Sequence, residues 1–494
     1  MAKHEITLQA TTGIFRGLAK QNMLFHQCIS ELLDNSIASK KEDSPFKIEL
    51  IFTEQLQNGK YGIYICDKSK GMDIEKLKAA LQLGNEPDPE SDRLHEHGFG
   101  LKNSLATLTS GDGHWKIWSK HGDNICSVEG PFGPTMTIDD DDQFPEEEFI
   151  PKGLSTIVYA ETTLKNIQTV QGRGIPGSDI FKLRRWLVEH IGVFYRGYLN
   201  LDPKTYEVDG EIRISILKEG SLKDTLKVVP VNVPMTNNKI ERMDIDISGN
   251  TYTIEYEYGT LDEYTKNKLV HGEKSQYYYQ GNMASQGIDI RLGKRVIATG
   301  LLNSIWGLNR HNAFNDFIGE IRIPNVPRGI LTTVNNKTDF NLDDSGWEEI
   351  FKKLNSEEKY KPQKNSREKS EKGIQEKWIS MLKATNPNEK VNGESHAGAW
   401  GAGVKIDVYR EKENGDIIIY EMKIGSAQPQ HVYQLKMYWD GLEIGGCIPK
   451  EAVLIVEDYS DNVKDMMDKI NTQLSTKNGD SYNLKIELHK NIGL

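Results

Sequence analysis

Between Met23 and Leu108 the side-chain period switches repeatedly between that of a helix and that of a strand, and this constrains the fold more than any other feature. Apolar residues at Phe25, Ile29, Leu32, Leu33 and Ile37 form one stripe of a helix predicted over Met23 to Lys40. Lys47–Phe52 and Tyr61–Cys66 read as strands, Leu101, Leu105 and Leu108 return to helical spacing, and Leu154–Ala160 reads as another strand. A chain patterned in this way packs helices against a sheet.

The turn-rich stretch Gln171–Gly177 is expected to end this first domain. A helix follows over Asp179–Tyr198, then short strands such as Glu211–Leu217, Thr251–Tyr258 and Gly287–Leu292, which together predict a second, α+β domain reaching residue 345. Lys352–Lys383 carries ten Lys/Arg against five Glu, and its first half is poor in apolar residues. Residues 346–372 are therefore expected to be a lysine-rich linker. Ile374, Trp378 and Met381/Leu382 then mark a helix, followed by strands at Val404–Tyr409 and Asp416–Ile424, a helix at His431–Gly441 and a strand at Glu451–Val456. The expected layout is 1–170, 171–345, the linker 346–372, and a last domain at 373–494.

Composition removes several classes. At about 150 residues per domain, 494 residues allow about three domains. No apolar run reaches the roughly 18 residues of a membrane helix, and the start MAKHEITLQATT is too polar for a signal peptide. The four cysteines, Cys28, Cys66, Cys126 and Cys447, form no CxxC pair, so a reducing cytoplasm is expected and a structural zinc site is not. A net charge of −11 argues against a protein coated in nucleic acid but leaves room for a local basic channel. The acidic run Asp139–Asp142 with Glu146–Glu148 reads as a solvated turn.

Three segments of the first domain carry chemistry. Glu31 and Asn35, at i and i+4, share a helix face and pair a carboxylate able to orient a water with an amide oxygen able to bind a hard cation. Asp67, ending a strand in Asp67-Lys-Ser-Lys-Gly71-Met72, can accept from an exocyclic amine, and Gly71 lets backbone approach a planar ring. In His97-Gly98-Phe99-Gly100-Leu101-Lys102, glycines just before a helix expose N–H groups to phosphates, and Lys102 adds a positive charge. Taken singly, each has an ordinary alternative: a wet helix face, an Asx turn, a glycine turn. His95 and His97 read as part of a lid loop rather than as metal ligands.

In this order and spacing the segments resemble the N, G1 and G2 boxes of the GHKL ATPases, the class of gyrase B, the ninety-kilodalton heat-shock chaperones, histidine kinases and MutL. Lys152-Gly-Leu-Ser-Thr156-Ile-Val resembles the Gly-Thr segment that closes that fold. The resemblance implies an ATP-binding α/β sandwich with Glu31 as general base, Asn35 as magnesium ligand and Asp67 as adenine reader. Gly71, Met72, Gly98, Gly100, Leu101, Lys102 and Thr156 would line the nucleotide. Gly98–Ser104 is most similar to the MORC-type loop, and Phe194–Leu199 (FYRGYL) and Asn335–Phe340 resemble the transducer module of those proteins. By that likeness Lys337 would reach the terminal phosphate, a solvated loop lysine being the alternative. Ala38 stands where relatives often have Asp, which puts a secondary contact in doubt. The resemblance further implies ATP-driven homodimerisation with residues 1–20 as an exchange arm.

In the last domain, Asp407 lies on one strand and Glu421-Met-Lys423 on the next, with Glu421 and Lys423 on one face. Two carboxylates and a lysine can hold magnesium and an attacking water, although charges on the wet face of a hairpin are the commoner explanation. Gln434 and Tyr438 follow on a helix. The set Asp…Glu-x-Lys…Gln-x-x-x-Tyr resembles the PD-(D/E)XK nucleases of the RecB-like branch, of restriction-endonuclease-like α/β fold. By that resemblance Asp407 and Glu421 hold the metal, Lys423 is catalytic, and Gln434 and Tyr438 contact nucleic acid. Glu371 and Glu376 are candidates for a further acidic ligand, with Glu376 preferred. The Gly398–Gly403 run and Trp400 could flank that site or form a plain loop with a packed aromatic.

The expectation is thus an α+β multidomain, ATP-dependent, dimeric DNA nuclease using ATP and Mg2+, acting in prokaryotic defence or repair. RNA as substrate and a companion protein remain open, and no membrane is involved. The alternative is a non-catalytic ATPase clamp whose last domain only binds DNA or protein.

Overall fold

A computed structural model describes residues 12–20, 23–42, 44–83, 94, 98–169, 180–202, 207–333, 343–362, 371–401 and 403–494. The chain divides into two compact units, Met1–Pro362 and Gln363–Leu494.

The first unit opens with helices α1 (Thr12–Leu18) and α2 (Phe25–Ala38), strands β1 (Phe46–Gln55) and β2 (Tyr61–Asp67), and helices α3 (Ile74–Leu81) and α4 (Gly100–Leu108). Strands β3 (Trp115–His121), β4 (Asn124–Glu129), β5 (Ile138–Asp139) and β6 (Thr156–Thr162) follow, then helices α5 (Leu164–Ile167), α6 (Ile180–Phe194) and α7 (Arg196–Leu199), and strands β7 (Gly210–Lys218) and β8 (Ser221–Lys227). These strands form one eight-stranded sheet in the order β5-β4-β3-β6-β2-β1-β7-β8. The β1–β7 pair is parallel, with Leu50 opposite Ile214, and every other neighbouring pair is antiparallel.

Strand alternation gives the sheet two apolar faces. Ile48, Leu50 and Phe52 of β1 and Ile63 and Ile65 of β2 meet Leu32 and Leu33 of α2, Leu105 of α4 and Leu187 of α6. Ile51 and Cys66 turn the other way, towards Trp118, Ile150, Leu154 and Ile157. Each such side chain, taken fully out of water, contributes about 1.5–3 kcal/mol. Strands β7 and β8, which come after the boundary expected at residues 171–177, complete this sheet through a pairing between distant segments.

A second, five-stranded sheet comprises β9 (Met235–Ile247), β10 (Asn250–Leu261), β11 (Gly287–Leu292), β12 (Arg295–Leu301) and β13 (Phe317–Ile323), ordered β12-β11-β13-β10-β9, with short helices α8 (Glu263–Lys266) and α9 (Asn303–Trp306). The β9–β10 hairpin turns on Ser248 and Gly249, both at positive φ (51° and 80°), the backbone that a tight two-residue hairpin demands. Helix α10 (Ser345–Asn355) buries Trp347, Ile350, Phe351 and Leu354 against this sheet. The front of the expected linker is therefore a packed amphipathic helix: four apolar residues at helical spacing outweigh the lysines around them.

The second unit contains α11 (Glu371–Thr385), β14 (Lys390–His396), β15 (Lys405–Glu411), β16 (Ile417–Met422), α12 (Pro429–Ile444), β17 (Pro449–Val456), α13 (Asp461–Gln473) and β18 (Leu484–Leu488). Its sheet runs β14-β15-β16-β17-β18, antiparallel as far as β16 and parallel beyond. Ile406, Ile419 and Leu454 pack with α12 and α13 on one side, whereas Val408, Ile418, Tyr420 and Met422 pack with Leu382 of α11 on the other. The unit is thus a sheet between helical layers.

Candidate functional sites

Helix α2 runs across the first sheet with all but two of its residues buried, so the polar residues it carries are held away from water. Glu31 is 2% exposed. Its carboxylate lies against the start of α4, where a Cβ on Gly100 would stand 2.0 Å from Glu31 Oε2. Glycine is the residue that permits this approach, and the loop leading into it bends through Gly98 at φ 62°. Asn35, one turn beyond Glu31, is partly exposed. Leu101 packs on the core beneath α4.

Asp67 ends β2 and is buried. Its Oδ2 accepts from the Ser36 hydroxyl at 2.8 Å and its Oδ1 from the Ser69 N–H at 3.0 Å. Burial raises its pKa, while the Ser69 and Ser36 hydrogen bonds oppose the shift. Beside it, Gly71 adopts φ 71°, and an added Cβ would lie 1.9 Å from the Lys120 carbonyl oxygen. The Met72 N–H donates to Ser119 Oγ at 2.7 Å, and that hydroxyl stands 3.3 Å from Thr156 Oγ1. Thr156 in turn pairs directly with Asp67 across β6 and β2. Asp67, Gly71, Met72 and Thr156 therefore form one floor, with Glu31 and Gly100 at the α2–α4 contact and Asn35 one turn further along α2. A carboxylate with two donors in place retains lone pairs for an exocyclic amine, and the amide of Asn35 is a hard oxygen donor, so the residues present suit a purine nucleotide with magnesium.

Lys102 is placed differently from the phosphate-facing position expected of it. It is buried, and Nζ donates at 2.9 Å to both the Ala80 and Gln82 carbonyls, closing the C-terminal end of α3. Burial pulls its pKa down to about 8. Lys337, His95 and His97 lie outside the described residues, as do residues 1–11 of the expected arm. Within the arm, Leu18 of α1 is buried in the core of its own chain.

Several participants were not anticipated. Ser36 carries an ordinary hydroxyl with no motif of its own, yet it holds Asp67. Asp34, between Glu31 and Asn35, is fully buried and paired with Tyr195 and Arg295, 161 and 261 residues away. The i,i+4 spacing identifies the face of α2 that carries Glu31, but gives no sign of what meets the adjoining face.

In the second unit the residues singled out converge at the end of β16. The β15–β16 ladder stops at the Val408–Tyr420 pair, and the Asp407 carboxylate instead accepts the Met422 N–H at 2.8 Å. Glu421 is fully buried on the α12 side, with Lys423 Nζ 2.9 Å from Oε1. Burial, reinforced by Asp407, pushes the Glu421 pKa up to about 7. Gln434 Nε2 donates to the Tyr438 hydroxyl at 2.6 Å, and burial followed by the Glu421 charge raises the Tyr438 pKa. Glu371, at the first turn of α11, lies 3.5 Å from Lys423. Glu376, preferred from sequence, lies five residues further along α11, about 140° round the helix from Glu371. Trp400 donates Nε1–H to the Met437 carbonyl at 2.7 Å, so the glycine-rich run packs on α12.

Among the described residues no group of three or more His, Cys, Asp or Glu converges as a metal site. The buried Glu421 carboxylate and the half-buried Asp407 carboxylate beside it nevertheless suit magnesium, which commonly takes one or two carboxylates and fills its shell with water and phosphate oxygens.

Residues 23–130 match the family described as histidine kinase-, DNA gyrase B-, and HSP90-like ATPase. This segment is similar to the GHKL-type ATPases, a class that binds and hydrolyses ATP, usually with Mg2+, and commonly dimerises. Among curated proteins none matches the chain. Among the described residues no helix is long and apolar enough to cross a membrane.

Proposed function

We propose that this protein is an ATP-gated, dimerising nuclease of MORC-like type that clamps and cleaves DNA, in prokaryotic defence against phage or foreign DNA. In the first unit, Glu31 orients and deprotonates the attacking water, Asp67 reads the adenine amine, and the Gly98–Gly100 loop faces the phosphates. Asn35 is the residue that would hold magnesium, which screens the triphosphate when bound. Lys337 is assigned to the terminal phosphate. Such a contact would differ between open and closed states, and only a differential contact lets ATP shift that equilibrium. The second sheet, with α6, α7 and α10, acts as the transducer.

The observation carrying the nuclease reading is the gathering of Asp407, Glu421, Lys423 and Tyr438 at one end of the second unit's sheet. Asp407 and Glu421 would hold a divalent ion, which lowers the pKa of a bound water and stabilises charge on a phosphodiester. Lys423 neutralises the pair and faces the scissile phosphate, and Gln434 and Tyr438 hold the backbone.

The test is cleavage of plasmid and linear DNA with Mg2+ and ATP. Wild type should cut, and Lys423→Ala should cut at least about 10²-fold more slowly. DNA left equally intact by both proteins would replace this reading with a clamp that binds without cutting.

A further inference from the structure

Asp34 has no part in the chemistry assigned above, although it lies between the two residues of α2 that do. A buried carboxylate is costly unless paired, and this one is fully buried. The Tyr195 hydroxyl stands 2.7 Å from Asp34 Oδ1 and 2.9 Å from the Ser30 carbonyl, so one proton serves two acceptors on the same helix. Arg295 Nε donates to the same Asp34 oxygen at 3.2 Å. The Arg295 guanidinium also lies 4.2 Å from the centre of the Tyr195 ring and donates to the Val296 carbonyl at 2.8 Å. Arg295 opens β12, the edge strand of the second sheet.

The next residue along from Tyr195 faces the other way. Arg196 is buried and donates to Glu320 at 2.6 and 2.9 Å and to Asp289 at 2.9 Å, both on the second sheet. At Gly197 an added Cβ would lie 2.4 Å from the Lys294 carbonyl oxygen, so the β11–β12 turn packs directly on this segment. Three consecutive residues thus fasten the second sheet to the helix bearing Glu31 and Asn35. The tolerance at the far end is small, because the Glu31 carboxylate already fills the space that a side chain at position 100 would need.

We propose that Arg295 and Tyr195 are positioning residues for ATP turnover: through Asp34 they form a latch by which the second sheet fixes the rotation and depth of α2, and so of Glu31. The latch rests on the reading of Glu31 as general base. It makes the sheet and the nucleotide mutually sensitive, since coupling between two sites is reciprocal. A mere staple would not need ions, because an apolar pair of equal volume holds two elements together as well or better.

The test compares Arg295→Met, Arg295→Lys, Tyr195→Phe and the double variant Asp34→Asn/Arg295→Met in the full chain. Arg295→Met should lower kcat at least about tenfold, with KM for ATP within about threefold, because small misplacements of a reacting group are costly. Arg295→Lys should recover part of the loss. The double variant, with no buried charge left unpaired, should regain the wild-type melting temperature but not kcat. A double variant with wild-type kcat overturns the proposal. Should Arg295→Met fail to fold, Tyr195→Phe and the double variant still decide. Hydrogen exchange across α2 separates this proposal from the assignment of Glu31. Exchange should rise in Tyr195→Phe whatever the base is, and unchanged exchange overturns the latch. Turnover surviving in Glu31→Gln instead removes only the base assignment.

Discussion

Glu31 in the first unit and Glu421 in the second are both carboxylates withdrawn from water, but they are placed by different means. Glu31 sits against a residue with no side chain, on a floor assembled from α2, α4, β2, β3 and β6. Glu421 is placed by strand alternation and met by Lys423 two residues later on the same face. The first site is built from distant segments and is intolerant of added volume. The second is nearly local, from residue 407 to 438 with Glu371 at its edge, and is sensitive to charge. Shape decides one, electrostatics the other.

The sharpest way to break this contrast is at the first site's reacting group. Glu31→Gln preserves volume and should slow phosphate release by about 10²–10⁴-fold while ATP binding, followed by titration calorimetry, persists. Next in size is Gly71→Ala, which adds a methyl group where the backbone has φ 71° and the Lys120 carbonyl leaves no room. A loss of about 3 kcal/mol in denaturant unfolding is expected, with ATP affinity falling alongside. Wild-type affinity in a folded Gly71→Ala protein would show that the nucleotide does not rest on this floor.

A pH effect of similar size sets the units against each other. Burial lowers the His26 pKa to about 4, with the Arg295 charge adding to it. A depressed histidine stabilises the fold above its ordinary value near 6.5, and that contribution is lost as pH falls towards 4; it amounts to about 3 kcal/mol. Glu421 is shifted upward to about 7, so its contribution is present at low pH and is lost, again by about 3 kcal/mol, as pH rises from its ordinary range through 7. Hydrogen exchange read separately in the two units should therefore show the first loosening as pH falls from about 6.5 towards 4, and the second loosening as pH rises from about 4.5 to 7. Parallel trends in both units would erase the distinction.

Much of the secondary structure was legible because its signal is periodic. The helix predicted over Met23–Lys40 is found at Phe25–Ala38, and the strand Gly287–Leu292 has the predicted bounds. What escaped the sequence is pairing at a distance. Nothing near Ile214 announces Leu50 as its neighbour, and nothing near Arg295 announces Asp34. Helix α10 was hidden by composition, its lysines masking a stripe of four buried apolar residues. At the sites, motif spacing singled out Glu31, Asp67, Asp407 and Glu421, because each stands on a locally periodic helix or strand. It misdirected the reading of Lys102, whose partners are set by where α3 happens to end.

The parallel pairing of β1 with β7 bears on how the molecule is made. Residues 46–52 emerge early from the ribosome, yet their partners at 210–216 come much later. Until then the nascent chain carries β1 with one flank bare, an adhesive ribbon open to other chains. Shortening the polypeptide to its first 170 residues would make that transient hazard permanent, so such a fragment should precipitate rather than serve as a minimal ATPase.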